Sequence, residues 1–206
     1  MSAIRTIGFR AGVTGWAVLV CVGFWLLSGY ETTPGETCAP AARWPGECGF
    51  VLDADRPTLL MFAHPSCPCT RSSVGELNQV LARCGDRVAA TVVFFKPGGT
   101  EDRWERTDLW RSAEMIPGVR VLVDVDGREA ARFGARTSGT VLVYSPHGAL
   151  LFAGGITASR GHSGDNLGRD AVVTILDRGQ PDRTATPVFG CPLCSSTGFE
   201  DRKTCR

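Results

Sequence analysis

Residues 57–85 read PTLLMFAHPSCPCTRSSVGELNQVLARCG, and the fold of the chain follows from this stretch. An apolar run at 58–63 predicts a buried strand, and apolar residues recurring every three or four positions afterwards predict a helix over 69–84. Cys67 and Cys69 lie where the strand meets the helix. Unpaired N–H groups and a partial positive charge at a helix N-terminus favour a thiolate over a thiol. The stretch therefore predicts a reactive thiol site.

Downstream of this stretch, apolar β-branched runs alternate with helix-like segments. The predicted strands are 88–95, 119–123, 141–144 and 150–153, and the predicted helices are 101–115, 128–133 and 166–178. Such alternation indicates a mostly parallel sheet, and the last two strands, around a turn with Pro and Gly, indicate a hairpin that adds an antiparallel edge. The expected fold class is α/β, with a central mixed sheet covered by helices on both faces.

An uncharged apolar segment, 11–30, precedes this domain. Its length matches the ~20 residues that a helix needs to cross a bilayer core. Because Arg5 and Arg10 precede the segment, the positive-inside rule places residues 1–10 in the cytoplasm and the main domain across the membrane. A cleaved signal peptide is the alternative. The lack of a small-residue cleavage site after the run favours an uncleaved anchor in a bacterial cytoplasmic membrane.

Composition divides the rest of the chain. Residues 31–55 are rich in Pro, Gly and Thr, which predicts a linker; 56–178 form the α/β domain, and 179–206 form a cysteine-containing tail. The 22 Lys and Arg residues balance 21 Asp and Glu, for a net charge of +1. This balance gives no indication of a nucleic-acid partner.

The chain has nine cysteines, more than is usual for a cytosolic protein. In an oxidising compartment, Cys38 and Cys48 in the predicted linker are expected to form a structural disulfide, with free thiols or a metal site as alternatives. Cys84 lies on the apolar face of the predicted helix and is expected to be a buried core thiol.

The order of strands and helices, together with the motif at 64–69, resembles the thioredoxin fold. It is most similar to membrane-anchored, outward-facing thioredoxin-like proteins of bacteria, in particular the RedB group. The strings that carry the resemblance are HPSCPCTRSS at 64–73, TSGTVLVY at 137–144, GGIT at 154–157 and RGHSGDN at 160–166. The resemblance implies a thiol-disulfide oxidoreductase that acts on thiols or disulfides of exported proteins and needs no cofactor.

The cysteine spacing departs from the Cys-x-x-Cys of thioredoxins. Alignment from the strand puts Ser66 and Cys69 in the nucleophile and resolving positions, whereas alignment from the helix puts Cys67 and Thr70 there. We favour Cys67 as nucleophile because Pro68 then takes the first helical position, where proline is tolerated.

A second departure is Gly139, which stands where thioredoxins carry a cis-proline facing the cysteines. The resemblance implies extra room beside Cys67 at this place, which in the broader family can admit a metal or change substrate handling. A Cys67–Cys69 disulfide would close a very small ring and be strained, so we expect an oxidising or isomerising couple.

Three further residues are candidates for the site. His64 is placed to exchange a proton near pH 7 or to bind a metal, and a solvent-facing position is the alternative. Cys191 and Cys194 form a Cys-x-x-Cys in the tail. They are a possible second redox pair that passes electrons to Cys67 and Cys69, with a structural bridge or a metal half-site as alternatives.

Two other functions fit the sequence. Cu(I) binds soft thiolates and imidazole, so Cys67 and Cys69 with His64 or His162 are an alternative copper site. The Cys-x-x-x-Cys spacing and the histidine of Sco-type copper chaperones are not matched closely. The third alternative is a non-catalytic binding module on the same fold.

Overall fold

The computed structural model describes residues 2–193, with side chains from residue 7 onward. Contacts divide the chain between Thr33 and Pro34 into two compact units. The first unit is one helix, α1 (Ser2–Thr32). Ile7–Thr32 is long and apolar enough to cross a membrane, and none of it is buried. A membrane anchor and a signal sequence both have this length and composition.

The second unit is built on a five-stranded mixed sheet. Its strands are β1 (Thr58–Ala63), β2 (Ala89–Lys96), β3 (Val119–Val125), β4 (Thr140–Tyr144) and β5 (Leu150–Gly154). The order across the sheet is β3-β2-β1-β4-β5. β1, β2 and β3 run parallel, whereas β4 is antiparallel to β1 and β5 is antiparallel to β4. This arrangement confirms the predicted α/β class and is that of a thioredoxin-like fold.

Helices cover both faces of the sheet. They are α2 (Pro68–Cys84), α3 (Asp108–Glu114), α4 (Arg128–Phe133) and α5 (Leu167–Arg178). Alternate residues of β1 point to opposite sides. Leu59 and Met61 pack with α2, α3 and α5, whereas Leu60 and Phe62 pack with α4. Because β1 is central and buried on both faces, its carboxyl end presents the following loop at a fixed place.

The predicted helix at 101–115 is helical only over Asp108–Glu114. Thr107 caps this helix by accepting the Trp110 N–H, and the residues before it form turns. Glu105 is buried and forms an ion pair with Lys96 at 3.1 Å. This pair holds the turn segment against the end of β2, where a longer helix would point the carboxylate elsewhere.

The composition predicts residues 34–52 to be part of a linker. They instead pack against the face of the sheet that α4 covers, which is called the second face below. The Trp44 ring lies 5.2 Å from Phe133 and 5.3 Å from Tyr144, centroid to centroid. The Tyr144 hydroxyl donates a hydrogen bond of 2.8 Å to the Ala41 carbonyl. A few aromatic side chains anchor this segment to the domain, although its Pro- and Gly-rich composition is typical of a linker.

The predicted Cys38–Cys48 disulfide is wrong. Cys48 is a free thiol that packs among the apolar side chains on the second face of the sheet. Its sulfur lies 3.5 Å from the Phe50 carbonyl oxygen. Cys38 is disulfide-bonded, so its partner is another cysteine. Cys84 is buried on α2, which confirms its prediction as a core thiol.

Candidate active site

Cys67 occupies the junction between β1 and α2. Its backbone is extended (φ −83°, ψ 111°), and α2 begins at the next residue, Pro68. The Cys67 N–H donates to the His64 carbonyl at 3.0 Å, which closes the turn after β1. The side chain is 2% exposed. The predicted position of Cys67 at the helix N-cap, with proline in the first helical position, is confirmed.

The C-terminal segment 190–193 reaches this junction from the other side. It runs antiparallel to residues 136–138, with a bridge between Thr137 and Pro192. The Ser138 N–H donates to the Cys191 carbonyl, and the Leu193 N–H donates to the Arg136 carbonyl, both at 2.8 Å. This pairing brings the Cys191 N–H to 3.4 Å from the Cys67 sulfur, which accepts its hydrogen bond.

The surroundings of Cys67 favour its thiolate. Burial alone raises the pKa of this thiol, but hydrogen bonds from Thr70 and Cys191 outweigh it and hold the pKa below its ordinary value. The His64 N–H donates to Ser138 Oγ at 2.7 Å, and Ser138 Oγ lies 2.5 Å from Thr70 Oγ1. Thr70 has a single hydroxyl proton and donates it to the Cys67 sulfur, so Ser138 is the donor in the contact between the two hydroxyls.

The two neighbouring thiols are shifted the other way. Burial raises the pKa of Cys69, and the negative charge on Cys67 adds to this, while a hydrogen bond from Arg160 opposes both. Burial also raises the pKa of Cys191 to about 12, with the hydrogen bond to Cys67 as the next cause. Of the three thiols, Cys67 is therefore the one that loses its proton first as the pH rises.

The His64 carbonyl accepts the Cys67 N–H, but the His64 ring contacts aromatic neighbours. It stacks on Phe95 (5.8 Å between centroids) and meets the edge of Trp104 at 6.0 Å. Its Nδ1 accepts the Ser66 N–H at 3.2 Å, so the neutral ring carries its proton on Nε2. Burial lowers the pKa of His64. A catalytic role for this ring stays a prediction.

Gly139 adopts φ +93°, a backbone conformation that glycine allows at little cost. Its N–H donates to the Phe62 carbonyl at 2.7 Å, and a Cβ built on it would lie 3.0 Å from Ser73 Oγ. Gly139 therefore faces the first turns of α2. The tail segment ending at Cys191 lies beside Cys67, where the resemblance implied open room.

Among the described residues, no group of three or more His, Cys, Asp or Glu side chains is arranged to hold a metal ion. Copper binding at Cys67 and Cys69 stays a prediction. His162 is exposed in the loop before α5, where its N–H donates to the Ser159 carbonyl at 3.3 Å. Cys194, the second cysteine of the tail motif, lies outside the described residues.

Several functional contacts escaped the sequence reasoning. From the sequence, Thr70 has only a position in an alignment and Ser138 has no role of its own. Arg160 donates to the Gly190 carbonyl at 2.8 Å and also interacts with Cys69, so it joins the tail to the thiol site. Its place in the RGHSGDN string was the one signal available.

The chain therefore has a thioredoxin-like fold with a buried thiol of lowered pKa at a helix N-terminus. No family model matches the chain, and no curated protein matches its sequence. Among solved structures, an uncharacterized conserved protein from Geobacillus kaustophilus aligns with a TM-score of 0.58 and 17% identity, over 80% of this chain and 93% of that one.

Two further structures are similar. A hypothetical protein from Sinorhizobium meliloti 1021 aligns with a TM-score of 0.52 and 20% identity, over 81% of this chain and 98% of that one. A secreted Mycobacterium tuberculosis disulfide oxidoreductase homologous to E. coli DsbE aligns with a TM-score of 0.43 and 17% identity, over 61% of this chain and 83% of that one. At these identities the likeness concerns the fold, and the last TM-score is too low to bear on function.

Proposed function

We propose that this protein is a membrane-anchored, extracytoplasmic thiol-disulfide oxidoreductase whose nucleophile is Cys67. The observation that carries the proposal is the environment of the Cys67 sulfur. It sits at the N-terminus of α2, accepts the Cys191 N–H at 3.4 Å, and has a lowered pKa despite its burial. Structural cysteines buried in apolar surroundings are inert because burial raises their pKa, as at Cys84.

The proposed chemistry needs only sulfur atoms and protons, so no cofactor is required. The Cys67 thiolate attacks a disulfide of an exported protein and forms a mixed disulfide, and one substrate thiolate leaves. A second thiol of the protein then attacks Cys67 and releases the other substrate thiol. Two thiols stand beside Cys67 for this step: Cys69, which the sequence predicts, and Cys191.

The test uses the full chain in mild detergent. We expect the Cys67 thiol to be alkylated at pH values well below the ordinary thiol pKa of about 8.5, and the protein to reduce or oxidise a model disulfide. Cys67→Ser should abolish the exchange. Cys48→Ser is the matched control, since Cys48 is a free thiol on the opposite face of the sheet. Exchange that survives Cys67→Ser would refute the proposal.

The location is part of the same proposal. Arginines before the apolar helix favour a cytoplasmic N-terminus and a domain outside the cytoplasmic membrane. A reporter that is active only outside the cytoplasm, fused to the C-terminus, should be active. An inactive reporter in a membrane-bound chain would contradict this topology and place the domain in the cytoplasm. Membership of the RedB group is also proposed here, and rests on the strings at 64–73, 137–144 and 154–166.

The other two functions make different predictions. Copper handling predicts about one Cu(I) per reduced chain, released by Cys67→Ser, with little exchange. A binding module predicts neither copper nor exchange. No contact among the described residues favours either one over thiol exchange.

A further inference from the structure

The tail segment 184–193 is held in place along its whole length. The Ala153 N–H donates to the Thr184 carbonyl at 2.9 Å, and the Gly155 N–H donates to the Pro187 carbonyl at 3.2 Å. Val188, Phe189 and Leu193 are buried. This part of the chain, predicted from sequence to be a tail without periodic structure, is thus a strap that crosses the end of the sheet beside β5 and ends at the thiol site.

Gly190 allows the close approach at the end of this strap. A Cβ on this residue would lie 1.9 Å from the Ser138 carbonyl oxygen, closer than any side chain can come. The Gly190 carbonyl also accepts a hydrogen bond of 2.8 Å from Arg160. The backbone contacts on both sides of Cys191 therefore fix where its thiol lies, and that place is against Cys67.

We propose that Cys191 is the resolving thiol of the site, so that the oxidised protein carries a Cys67–Cys191 disulfide. This inference rests on the proposed thiol-disulfide exchange and names the partner of its nucleophile. Cys67 and Cys191 lie 124 residues apart in the chain but within hydrogen-bond contact in space. Their disulfide therefore closes a long loop, free of the small-ring strain expected for a Cys67–Cys69 bond.

The position of Cys69 supports this choice. Cys69 is the second residue of α2, and residues i and i+2 of a helix point in different directions. The Cys69 thiol is shared between Arg160 and Cys67, and its hydrogen bond to Cys67 influences its pKa less than the hydrogen bond to Arg160 does. For Cys191, in contrast, the hydrogen bond to the Cys67 sulfur is the largest influence on the pKa after burial. When Cys67 enters a mixed disulfide its negative charge disappears, and one of the causes that raise the pKa of Cys191 disappears with it.

The steps balance as follows for a substrate disulfide R–S–S–R′. The Cys67 thiolate attacks one sulfur, the substrate S–S bond breaks, and R′S⁻ leaves and takes a proton from water. Cys191 gives its proton to solvent and attacks the Cys67 sulfur, the mixed disulfide breaks, and RS⁻ leaves. The substrate gains two electrons and the Cys67/Cys191 dithiol loses two. The reverse sequence oxidises a substrate dithiol.

The strap also controls whether a substrate disulfide can reach Cys67 during thiol-disulfide exchange. Cys67 is 2% exposed, and the Cys191 N–H of the strap contacts its sulfur. A substrate disulfide must displace residues 190–191 to reach the sulfur, and the freed backbone of 136–138 offers the same antiparallel pairing to an extended peptide. When the strap returns, it brings Cys191 back to the mixed disulfide.

The test uses the full chain in detergent, reduced and then exposed to glutathione disulfide. After quenching by alkylation, the disulfides are mapped by tandem mass spectrometry. Fragmentation before Pro68 separates Cys67 from Cys69, and fragmentation before Pro192 separates Cys191 from Cys194. We expect a Cys67–Cys191 link in the wild-type chain, and at least a tenfold higher level of glutathione on Cys67 in Cys191→Ser than in Cys69→Ser.

A Cys67–Cys69 link, or glutathione that accumulates in Cys69→Ser but not in Cys191→Ser, would overturn the inference and leave the proposed function intact. Failure of Cys67 to form any mixed disulfide would instead refute the proposed function. Cys191→Ala is a second variant without a hydroxyl, and equal thermal transitions of the variants show that they fold.

Discussion

At the scale of single residues, the chemistry depends on what donates hydrogen bonds to one sulfur atom. Burial by itself would make Cys67 a poor nucleophile, and the Cys191 N–H, the Cys191 thiol and Thr70 reverse that effect. Because Thr70 donates its own hydroxyl proton to Cys67, Ser138 is the donor in the contact between the two hydroxyls. The lowered pKa of Cys67 therefore depends on a small hydrogen-bond network.

Thr70→Val tests this network. Valine keeps the shape of threonine and removes the hydroxyl, so the Cys67 thiolate loses one donor and its pKa rises. A hydrogen bond to a charged group contributes about 1.5–3 kcal/mol, so alkylation of Cys67 at a pH below its pKa should slow by about tenfold or more. The measurement is the alkylation rate against pH, with Thr70→Ser as control. Unchanged rates in Thr70→Val would exclude Thr70 as a donor.

The contribution of His64 to the free energy of unfolding depends on pH. Burial lowers the pKa of its ring, so the unfolded chain binds more protons than the folded one between the folded pKa and the ordinary value of about 6.5. The contribution of His64 to the free energy of unfolding is complete above that value and is lost as the pH falls through the window. Denaturant unfolding at several pH values should show a smaller loss for His64→Phe. An equal loss in both proteins would contradict this assignment.

At the scale of secondary-structure elements, the strap and helix α2 meet around Cys67. Gly190→Ala tests this contact, because the new Cβ would lie 1.9 Å from the Ser138 carbonyl oxygen and the strap must move. Overpacking of this kind costs about 1–3 kcal/mol. We expect a lower unfolding free energy and several-fold faster alkylation of Cys67. Gly46→Ala is the control, since nothing lies within 4 Å of its Cβ position.

Helix α2 is also joined to α5 by a buried ion pair. Glu76 is fully buried, and its carboxylate accepts hydrogen bonds of 2.8 Å from Arg169 Nη1 and from the Gly164 N–H. Glu76→Ala leaves Arg169 without its buried partner and should cost about 3–5 kcal/mol of unfolding free energy. Asp165→Asn removes the exposed partner of the same arginine and should leave stability almost unchanged. Equal losses in the two variants would contradict a buried, structural role.

At the scale of the whole molecule, the apolar helix and the α/β domain form separate contact units. We expect the chain without residues 2–33 to keep its thermal transition and the reactive Cys67, and to lose its association with membranes. Carbonate extraction of the full-length chain distinguishes an anchor from a signal sequence. A full-length chain released by carbonate, or a mature chain that begins after the helix, would contradict the anchor.

Much of this architecture could be predicted from the sequence, because strands and helices follow from local patterns of apolar residues. An apolar run of 58–63, a helical period after it and proline at residue 68 determine that a strand, a thiol and a helix follow one another. The alternation downstream determined the class of sheet. Predicted strand and helix limits agree with the structure to within a few residues, except at 101–107, where turns and a buried Glu105 replace helix.

The identity of the neighbours of Cys67 was decided only in three dimensions. Nothing in the pattern of residues 179–193 shows that they pair with 136–138, because a short segment without periodicity has no local signal for its partner. The aromatic packing of residues 34–52 likewise has no local signal in the sequence. The sequence by itself determined that Cys67 lies where β1 meets α2. Tertiary structure decided that the Cys191 N–H, and the thiol beside it, face that sulfur, because contacts between residues 124 apart depend on the whole packed chain.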